Sequence, residues 1–522
     1  MKSATPDPKA GGRPPPARGR RPSGTHPVLA GWVALLLLVL PASAAVSRPN
    51  LVVLIADDLR ADAVGFAGNP VVRTPNLDRL AATGTVFRNA FVTTSICAVS
   101  RANLLTGQHA RRHGVHDFAT PLKDFRQTYP GLLQQAGYYT GFIGKWGIKD
   151  LDRAYHQQAA GWFDYWAGDT WQTRYWHSRT CNYVTNNGTT DRANFFCTCP
   201  PDAQWREGVG QRGPHPALTE PVHTETQVFP QKYRSFLDQR DPAKPFCLTV
   251  AFKAPHSPFA GFDPRFASDF ANVPMPLRAN VTRESAARQP EFLRRSLENP
   301  QGLELVRDAG PDGKLQNWLR DYYRLILGLD ESIGALLREL ETRGLATNTV
   351  IVFTSDNGHF AGEHGFFGKW LMHEESIRVP LLAHDPRLPR RRHGQTSDAM
   401  VLSIDVAPTL LDLAGVNPPA AMQGRSLRPL LARPNRPWRD SFYYEHRFSN
   451  PTDPRRRIVP SEGLRTRDWK YIRYPEQAPV VEQLFDLRHD PLELRDLAAD
   501  PAQRRQLERL RGAWQTARAA AE

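Results

Sequence analysis

Continuous apolar runs that alternate with amphipathic stretches constrain the fold of this chain more than any other feature. Leu51–Ala56 is apolar at every position, and a strand of that kind is buried on both faces, as in a parallel sheet. Asn76–Thr83 and Tyr129–Ala136 have helical periodicity, and each is followed by a glycine that can end a helix. The alternation predicts an α/β fold with a large, mostly parallel sheet flanked by helices.

Polar residues recur just after three apolar runs, Leu51–Ala56, Tyr138–Ile143 and Val350–Phe353. These polar residues are Asp57, Asp58, Lys145, Asp356 and Asn357. Because the carboxyl ends of parallel strands meet at one edge of a sheet, and ligands bind at that edge, we expect these side chains to lie close together. A single aspartate at such a position is more often a helix cap or a turn residue. The recurrence at three separate runs favours a ligand site instead.

Composition divides the chain into distinct regions. Residues 1–45 contain an arginine-rich start, a short apolar run and terminal small residues, which together predict a secretory signal peptide. We expect residues 46–436 to form the main, catalytic domain, with a loop-rich insert at about 162–226 over the rim of the site. Residues 437–522 are expected to form a smaller C-terminal α+β subdomain, a small antiparallel sheet followed by a helix.

The signal peptide predicts export, either to the periplasm or to the medium. Its apolar run is short for a bilayer span, so no stable membrane span is expected, and a retained anchor is the alternative. Cleavage removes six basic residues and one acidic residue and lowers the formal charge from +14 to +9. The remaining surplus favours acidic substrates or a well-solvated arginine-rich surface. Binding of nucleic acid is not expected, because no motif supports it.

The chain has five cysteines, and their spacing allows more than one interpretation. Four of them could form up to two disulfides in an oxidising compartment, and Cys181, Cys197 and Cys199 are the expected partners. Cys247 lies in an apolar run, where a buried free thiol is as well supported as a disulfide. A zinc site is not expected, because Cys197 and Cys199 lack the usual spacing and a second pair.

The fifth cysteine, Cys97, opens the segment Cys-Ala-Val-Ser-Arg at the start of a predicted helix that Gly107 closes. A helix N-terminus favours an anion and lowers the pKa of a thiol. The segment and the following Leu-Leu-Thr-Gly closely resemble the modification signature C-x-[PA]-S-R of the sulfatases and its downstream L-x-T-G element.

Further motifs match that family in the same order along most of the chain. They are Asp57-Asp58, Gly144-Lys145-Trp146, Ala254-Pro255-His256-Ser257-Pro258, Ser355-Asp356-Asn357-Gly358, Gly362-Glu363-His364-Gly365, Gly368-Lys369-Trp370, Glu374–Pro380, Trp469–Ile472 and Leu484–Leu487. Each is weak alone, but together they strongly resemble the type I, formylglycine-dependent sulfatases of the alkaline phosphatase-like superfamily.

The resemblance implies an enzyme that hydrolyses sulfate esters, with sulfated carbohydrates as the expected substrates. A formylglycine-generating enzyme would oxidise Cys97 to formylglycine, an aldehyde whose hydrate attacks sulfur. By resemblance, Arg101 steadies this hydrate, Lys145 and Lys369 bind sulfate oxygens, and His256 is the general acid. The implied cofactor is Ca²⁺, with Mg²⁺ as the alternative. The implied ligands are Asp57, Asp58, Asp356, Asn357 and an oxygen of modified Cys97, a set that suits a hard cation.

Two positions depart from the family pattern. Val99 stands where the signature has Pro or Ala, and Gly147 stands where the family has the histidine of Gly-Lys-Trp-His. That histidine is credited with removing a proton from the second hydroxyl, and we hypothesise that His113 or His116 replaces it.

Two other functions fit the same residues. The metal, lysines and hydrated aldehyde would also suit a phosphodiesterase or phosphonate monoester hydrolase of the same superfamily. A chain in which Cys97 stays a thiol would be a non-catalytic protein that binds sulfated glycans.

Overall fold

The computed structural model of the protein describes residues 48–149, 152–169, 172–186, 197, 199, 214, 216–296, 298–449 and 458–522. The predicted signal peptide lies outside these residues, as does the middle of the predicted insert. Within these ranges, we find no helix that is both long enough and apolar enough to cross a membrane.

Sixteen strands are described. They are β1 (Asn50–Ala56), β2 (Thr85–Phe91), β3 (Tyr139–Lys145), β4 (Tyr165–Asp169), β5 (Trp176–Ser178), β6 (Pro221–His223), β7 (Phe246–Ala251), β8 (Thr349–Ser355), β9 (Phe360–Ala361), β10 (Phe367–Gly368), β11 (Leu381–His384), β12 (Gln395–Leu402), β13 (Ser441–His446), β14 (Ser461–Thr466), β15 (Trp469–Tyr474) and β16 (Val481–Asp486).

The described α-helices alternate with these strands along the chain. They are α1 (Pro75–Thr83), α2 (Cys97–Thr106), α3 (Ala110–His113), α4 (Tyr129–Gln135), α5 (Arg153–Ala160), α6 (Asn182–Thr185), α7 (Phe229–Gln239), α8 (Arg283–Ala287), α9 (Glu291–Arg294), α10 (Glu298–Arg307), α11 (Lys314–Thr342), α12 (Glu374–Ile377), α13 (Val406–Leu413), α14 (Arg428–Ala432) and α15 (Arg504–Ala520).

An eight-stranded sheet organises the fold, in the order β12-β2-β11-β8-β1-β7-β3-β4. Only β11 runs antiparallel to its neighbours in this sheet. On β1, Leu51, Val53 and Ile55 face one apolar core, and Val52 and Leu54 face the other. This burial on both faces is the physical reason for the continuous apolar run, and the predicted fold class is confirmed.

Helices cover both faces of the sheet. The helices α2, α4 and α13 contact one another and contribute to the first core, whereas α1, α7 and α11 contribute to the second. The long α11 buries Ile326, Leu329 and Ile333, whose spacing places them on one helix face. The helix α2 packs in the first core, and the charges of Asp57 and Asp356, which follow β1 and β8, act on Cys97 at its N-terminus.

A four-stranded antiparallel sheet, in the order β13-β14-β15-β16, forms the C-terminal part of the chain together with α15. Tyr471 and Leu484 of this sheet pack against Leu510 and Trp514 of α15. The sequence analysis missed β14, which contains Gly463 and four charged or polar residues and so lacks a strong apolar pattern. The domain boundary at residue 436 stays a prediction.

Part of the predicted insert belongs to the main sheet. The strand β4 pairs in parallel with β3 and forms the edge of the sheet. Its Trp166 stacks on Phe142 of β3 at a ring-centroid distance of 5.1 Å. The region rich in aromatic residues therefore includes a sheet edge as well as loops.

The disulfide expectation is wrong, because all five cysteines are free and all five lie among the described residues. Cys247 lies buried in β7 on the first core, as the alternative interpretation had it. Cys181, Cys197 and Cys199 do come together, but with the Cys181 and Cys197 sulfur atoms 3.2 Å apart. A disulfide bond requires about 2.05 Å.

Candidate active site

The central strands β1 and β8 bring four polar side chains to one edge of the sheet. The two strands are parallel neighbours with Ala56 opposite Ser355, so the residues that follow each strand lie side by side. The backbone N–H of Asp58 donates to Oδ1 of Asp356 at 3.2 Å, and Nδ2 of Asn357 donates to Oδ1 of Asp58 at 2.5 Å. All four side chains, including Asp57, are buried. The juxtaposition expected from the sequence is therefore present.

Cys97 is the first residue of α2 and is almost fully buried. The charges of Lys145, Lys369, Asp57 and Asp356 all influence the pKa of the Cys97 thiol. Cys97 therefore lies among the predicted site residues. Burial raises the pKa of the Cys97 thiol despite the two lysines. The expectation that the helix N-terminus lowers this pKa is wrong, because desolvation of the thiolate outweighs the favourable charges.

Arg101 lies one turn along α2 and contacts residues at the ends of three strands, β1, β3 and β8. Its Nε donates to Oδ2 of Asp356 at 2.9 Å, and one terminal nitrogen donates to the carbonyl oxygen of Lys145 at 2.7 Å. The other terminal nitrogen lies 3.7 Å from Oδ2 of Asp57 and has no hydrogen-bond partner although it is buried. Arg101 thus has one donor that remains available to a bound anion.

Two buried lysines contact the aspartates. Lys145, the last residue of β3, pairs with Asp57 and also donates to Oε1 of Gln172 at 2.6 Å. Lys369 pairs with Asp58. Burial alone would lower the pKa of both lysines, but the adjacent carboxylates raise it above the ordinary value. Both side chains therefore carry a positive charge at neutral pH.

His256 lies beside the same carboxylates. Its Nδ1 donates to the carbonyl oxygen of Ser257 at 2.9 Å, which leaves Nε2 3.6 Å from Oδ2 of Asp58. Burial lowers the pKa of His256 to about 3, and the charges of Asp57 and Asp58 act in the opposite direction. A ligand that increased the negative charge near Nε2 would favour the imidazolium.

The oxygen atoms of this group fit a hard cation. Oδ1 of Asp57 and Oδ1 of Asn357 are buried without a hydrogen-bond partner. Burial alone would raise the pKa of Asp57, but Lys145 and other cations hold it well below the ordinary value, so this carboxylate is ionised. Burial and the charge of Asp57 raise the pKa of Asp356 to about 7. A divalent cation would favour ionised Asp356, and carboxylate and amide oxygens are the ligands that Ca²⁺ and Mg²⁺ prefer.

Two residues that the sequence analysis missed complete the rim. Gln172 contacts Lys145, and the hydroxyl of Tyr175 donates to the carbonyl oxygen of His256 at 2.5 Å. Both belong to the region rich in aromatic residues, which has little periodicity. Its composition gave the general location, but no local pattern singles out these two residues.

Gly147 occupies a position that is tight for a side chain. Its φ is +72°, and a Cβ atom built there would lie 3.0 Å from Cδ of Arg101 and 3.3 Å from Cε of Lys145. A side chain at this position would therefore be strained, and Arg101 or Lys145 would have to shift by a few tenths of an ångström to make room for it. Val99, the other departure, is buried in the first apolar core.

The two histidines hypothesised as replacements make other contacts. Nε2 of His113 lies 2.5 Å from Oδ1 of Asn103, and its Nδ1 accepts from the backbone N–H of Val115 at 3.0 Å. His116 lies 3.5 Å from the Arg447 guanidinium. Both nitrogens of His113 are thus engaged in hydrogen bonds that stabilise the α2–α3 region.

Comparison with known proteins agrees with the geometry. The sulfatase family model matches residues 49–416, and the model for the C-terminal region of N-sulphoglucosamine sulphohydrolase matches residues 362–519. An N-acetylglucosamine-6-O-sulfatase of Bacteroides thetaiotaomicron is 30% identical over 513 residues, covering 88% of this chain and 84% of that protein. An arylsulfatase of Clostridium perfringens is 29% identical over 486 residues, covering 89% of this chain and 93% of that protein.

A solved structure supports the same relationship. A protein in complex with its substrate D-glucosamine-2-N,6-O-disulfate superposes with a TM-score of 0.70 at 28% identity, covering 91% of this chain and 98% of that one. The family model alone spans well over half of the sequence. This chain therefore belongs to the sulfatase family of the alkaline phosphatase-like superfamily and is a sulfuric ester hydrolase.

Proposed function

We propose that this chain hydrolyses sulfate esters of carbohydrates, with 6-O-sulfated glucosamine or N-acetylglucosamine as the substrate unit. The observation that carries this proposal is the convergence of the buried Lys145 and Lys369 ammonium groups on the carboxylates beside Cys97. Two compact cations next to a nucleophile position suit a tetrahedral sulfate. The sugar follows from relatives that act on 6-sulfated N-acetylglucosamine or bind a 6-sulfated glucosamine, according to their names.

We assign the nucleophile to Cys97 after its oxidation to formylglycine by a formylglycine-generating enzyme. A hydroxyl of the hydrated aldehyde attacks sulfur, the bond from sulfur to the sugar oxygen breaks, and the second hydroxyl later expels sulfate as the aldehyde re-forms. The free terminal nitrogen of Arg101 can donate to this hydrate or to sulfate. A thiol with a pKa raised by burial would by contrast stay protonated and unreactive.

We assign a calcium ion to Asp57, Asp58, Asp356 and Asn357, with magnesium as the alternative. The two unpartnered oxygens of Asp57 and Asn357 support this assignment. When bound, the cation would polarise a sulfate oxygen and favour ionisation of the nucleophile. Binding would also compete with Lys145 and Lys369 for the carboxylates and so release both ammonium groups toward sulfate.

His256 is suited to protonate the leaving sugar oxygen. Its Nδ1 is held by the Ser257 carbonyl, so a proton on Nε2 makes an imidazolium, which Asp58 stabilises at 3.6 Å. Proton transfer from Nε2 to the departing oxygen returns the neutral imidazole that burial favours. Gly147 offers no base for the second half of the cycle, so the proton acceptor differs from the family pattern.

Activity and modification of the same sample test the proposal. Full-length protein co-expressed with a formylglycine-generating enzyme would be assayed with N-acetylglucosamine 6-sulfate, an aryl sulfate, and matched phosphate and phosphonate monoesters, with and without calcium. The mass of the Cys97 peptide would report conversion. We expect sulfate release in proportion to conversion, and none from the matched Cys97→Ala variant.

Other outcomes would overturn specific parts of this proposal. Faster hydrolysis of the phosphate or phosphonate ester would favour the alternative hydrolase. Full activity with an unmodified Cys97 thiol would contradict the mechanism. Tight binding of sulfated glycans without turnover in converted protein would identify a non-catalytic binding protein.

Export remains part of the proposal. Residues 1–45 are proposed to direct the chain to the periplasm or the medium and to be removed there. N-terminal sequencing of the protein recovered outside the cytoplasm should begin near residue 46, and a mature protein that retains residues 1–45 would contradict this expectation.

A further inference from the structure

A second group of potential metal ligands lies outside the carboxylate site. One nitrogen of His177 and the sulfur atoms of Cys181, Cys197 and Cys199 all lie within 4.8 Å of one another. His177 belongs to β5, Cys181 directly precedes α6, and the two remaining cysteines come from a later part of the chain. Neither the proposed function nor the family motifs use any of these residues.

The distances within this group suit one tetrahedral ion. Cys197 Sγ lies 3.0 Å from His177 Nδ1 and 3.2 Å from Cys181 Sγ, and Cys181 Sγ lies 3.9 Å from His177 Nδ1. With Zn–S bonds of about 2.3 Å and a Zn–N bond of about 2.0 Å, tetrahedral zinc separates its ligand atoms by about 3.5–3.8 Å. The two shorter separations would have to open by about half an ångström to accommodate the ion.

The surroundings also fit bound thiolates. Backbone N–H groups of Ser178 and Cys199 point at the sulfur atoms of Cys199 and Cys197, at 3.2 and 3.3 Å respectively. Such N–H donors stabilise sulfur that carries negative charge. His177, Cys181 and Cys199 are buried and Cys197 is partly buried, so most of the site is shielded from solvent.

A buried lysine supplies the charge balance. Zinc with three thiolates and a neutral imidazole has a net charge of −1. Lys232 is fully buried, donates to the carbonyl oxygens of Val184 and Asn186, and among the described residues has no carboxylate partner. Burial lowers its pKa to about 7, and Cys181 acts in the opposite direction. An anionic metal site nearby would favour the charged form of this lysine.

We propose that His177, Cys181, Cys197 and Cys199 bind one structural Zn²⁺ ion. Each of the three thiols releases one proton, the imidazole binds as the neutral base through Nδ1, and no other ligand is needed. Soft sulfur ligands favour zinc over the hard cation of the carboxylate site. The sequence analysis rejected zinc because the Cys-x-Cys spacing has no second pair, whereas the fold supplies Cys181 and His177 instead.

The ion would hold in place the segment of the active-site rim that contains Gln172 and Tyr175. β5 pairs with β6, and His177 follows Tyr175 by two residues. Tyr175 holds the His256 carbonyl at 2.5 Å, and Gln172 holds Lys145 at 2.6 Å. The zinc ligands are thus positioning residues that act on sulfate hydrolysis through this segment, while their metal binding is independent of whether the proposed substrate is correct.

Metal analysis tests the site directly. Full-length protein purified without chelators would be analysed for zinc by mass spectrometry, and the cobalt-substituted protein by its visible absorption. We expect one zinc per chain and the charge-transfer bands of tetrahedral cobalt bound to thiolates. Cys199→Ser and His177→Ala should each lower zinc occupancy at least tenfold. The control Cys247→Ala, in the buried strand β7, should retain full occupancy.

A second measurement keeps the proposal falsifiable if these variants fail to fold. Wild-type protein treated with a zinc-selective chelator in the presence of calcium should lose zinc and expose three thiols to labelling. Its kcat/KM should fall about tenfold or more at unchanged Cys97 conversion, and zinc should restore it. A Cys181–Cys197 disulfide in non-reducing peptide maps, or full zinc occupancy in folded His177→Ala, would overturn the proposal.

Discussion

Replacement of Gly147 by alanine tests whether this position has space for the histidine that the family pattern places there. A residue with a Cβ atom at φ +72° carries the strain of the left-handed region, which costs about 1–2 kcal/mol. The new Cβ would also lie 3.0 Å from Cδ of Arg101, so the arginine must move. That movement disturbs its hydrogen bonds to Asp356 at 2.9 Å and to the Lys145 carbonyl at 2.7 Å.

The expected fall in kcat/KM follows from these hydrogen bonds of Arg101. A hydrogen bond to a charged group contributes about 1.5–3 kcal/mol, so the loss of one should lower kcat/KM by about 10- to 150-fold in Gly147→Ala. Gly137→Ala is the matched control, because Gly137 has φ +90° and no atom within 4 Å of the built Cβ. It should show a similar loss of stability without a loss of kcat/KM.

The assay combines sulfate release with thermal unfolding, and activity is normalised to the fraction of Cys97 converted. Gly147→His, which restores the family residue, should be at least as impaired as Gly147→Ala, because its larger side chain displaces Arg101 further. Full activity of Gly147→Ala, or faster turnover of Gly147→His than of wild type, would refute this reasoning and show that the position can hold a base.

Three further variants test the remaining groups. Asn357→Ala should raise the Kd for calcium about tenfold or more by calorimetry, because it removes a buried, unpartnered ligand oxygen, and unchanged affinity would exclude Asn357 as a ligand. Gln172→Ala should lower kcat/KM about tenfold through the loss of its 2.6 Å bond to Lys145, whereas an unchanged value would mean that this contact does not position the lysine. Glu225 is fully buried, and its Oε1 accepts from the backbone N–H of Ala254 at 3.1 Å; burial raises its pKa to about 7 from 4.5. The native state then binds more protons than the unfolded state between these pH values, so stability falls as pH rises through this window. Glu225→Gln should exceed wild type by about 1–3 kcal/mol in urea unfolding at pH 8, with the difference closing near pH 5, and parallel pH profiles would contradict the shift.

The sequence by itself determined the fold class and the composition of the carboxylate edge. A strand buried on both faces must be apolar at consecutive positions, and β1 and β8 follow that pattern directly. Their parallel pairing then brings Asp57, Asp58, Asp356 and Asn357 together, because adjacent parallel strands end at the same edge. Local patterns of this kind can be recognised without any knowledge of the path of the chain.

Other features were decided only by the tertiary structure. The pKa of Cys97 depends on how completely the surrounding helices and strands exclude water, which the helix N-terminus alone does not reveal. The tight space at Gly147 depends on the position of the Arg101 side chain, which comes from a different element. His177 joins Cys181, Cys197 and Cys199 because β5 lies near both later cysteines in space, and spacing along the sequence gave the opposite prediction. Contacts between residues distant in the chain depend on packing, and packing is set by the whole fold rather than by any one motif.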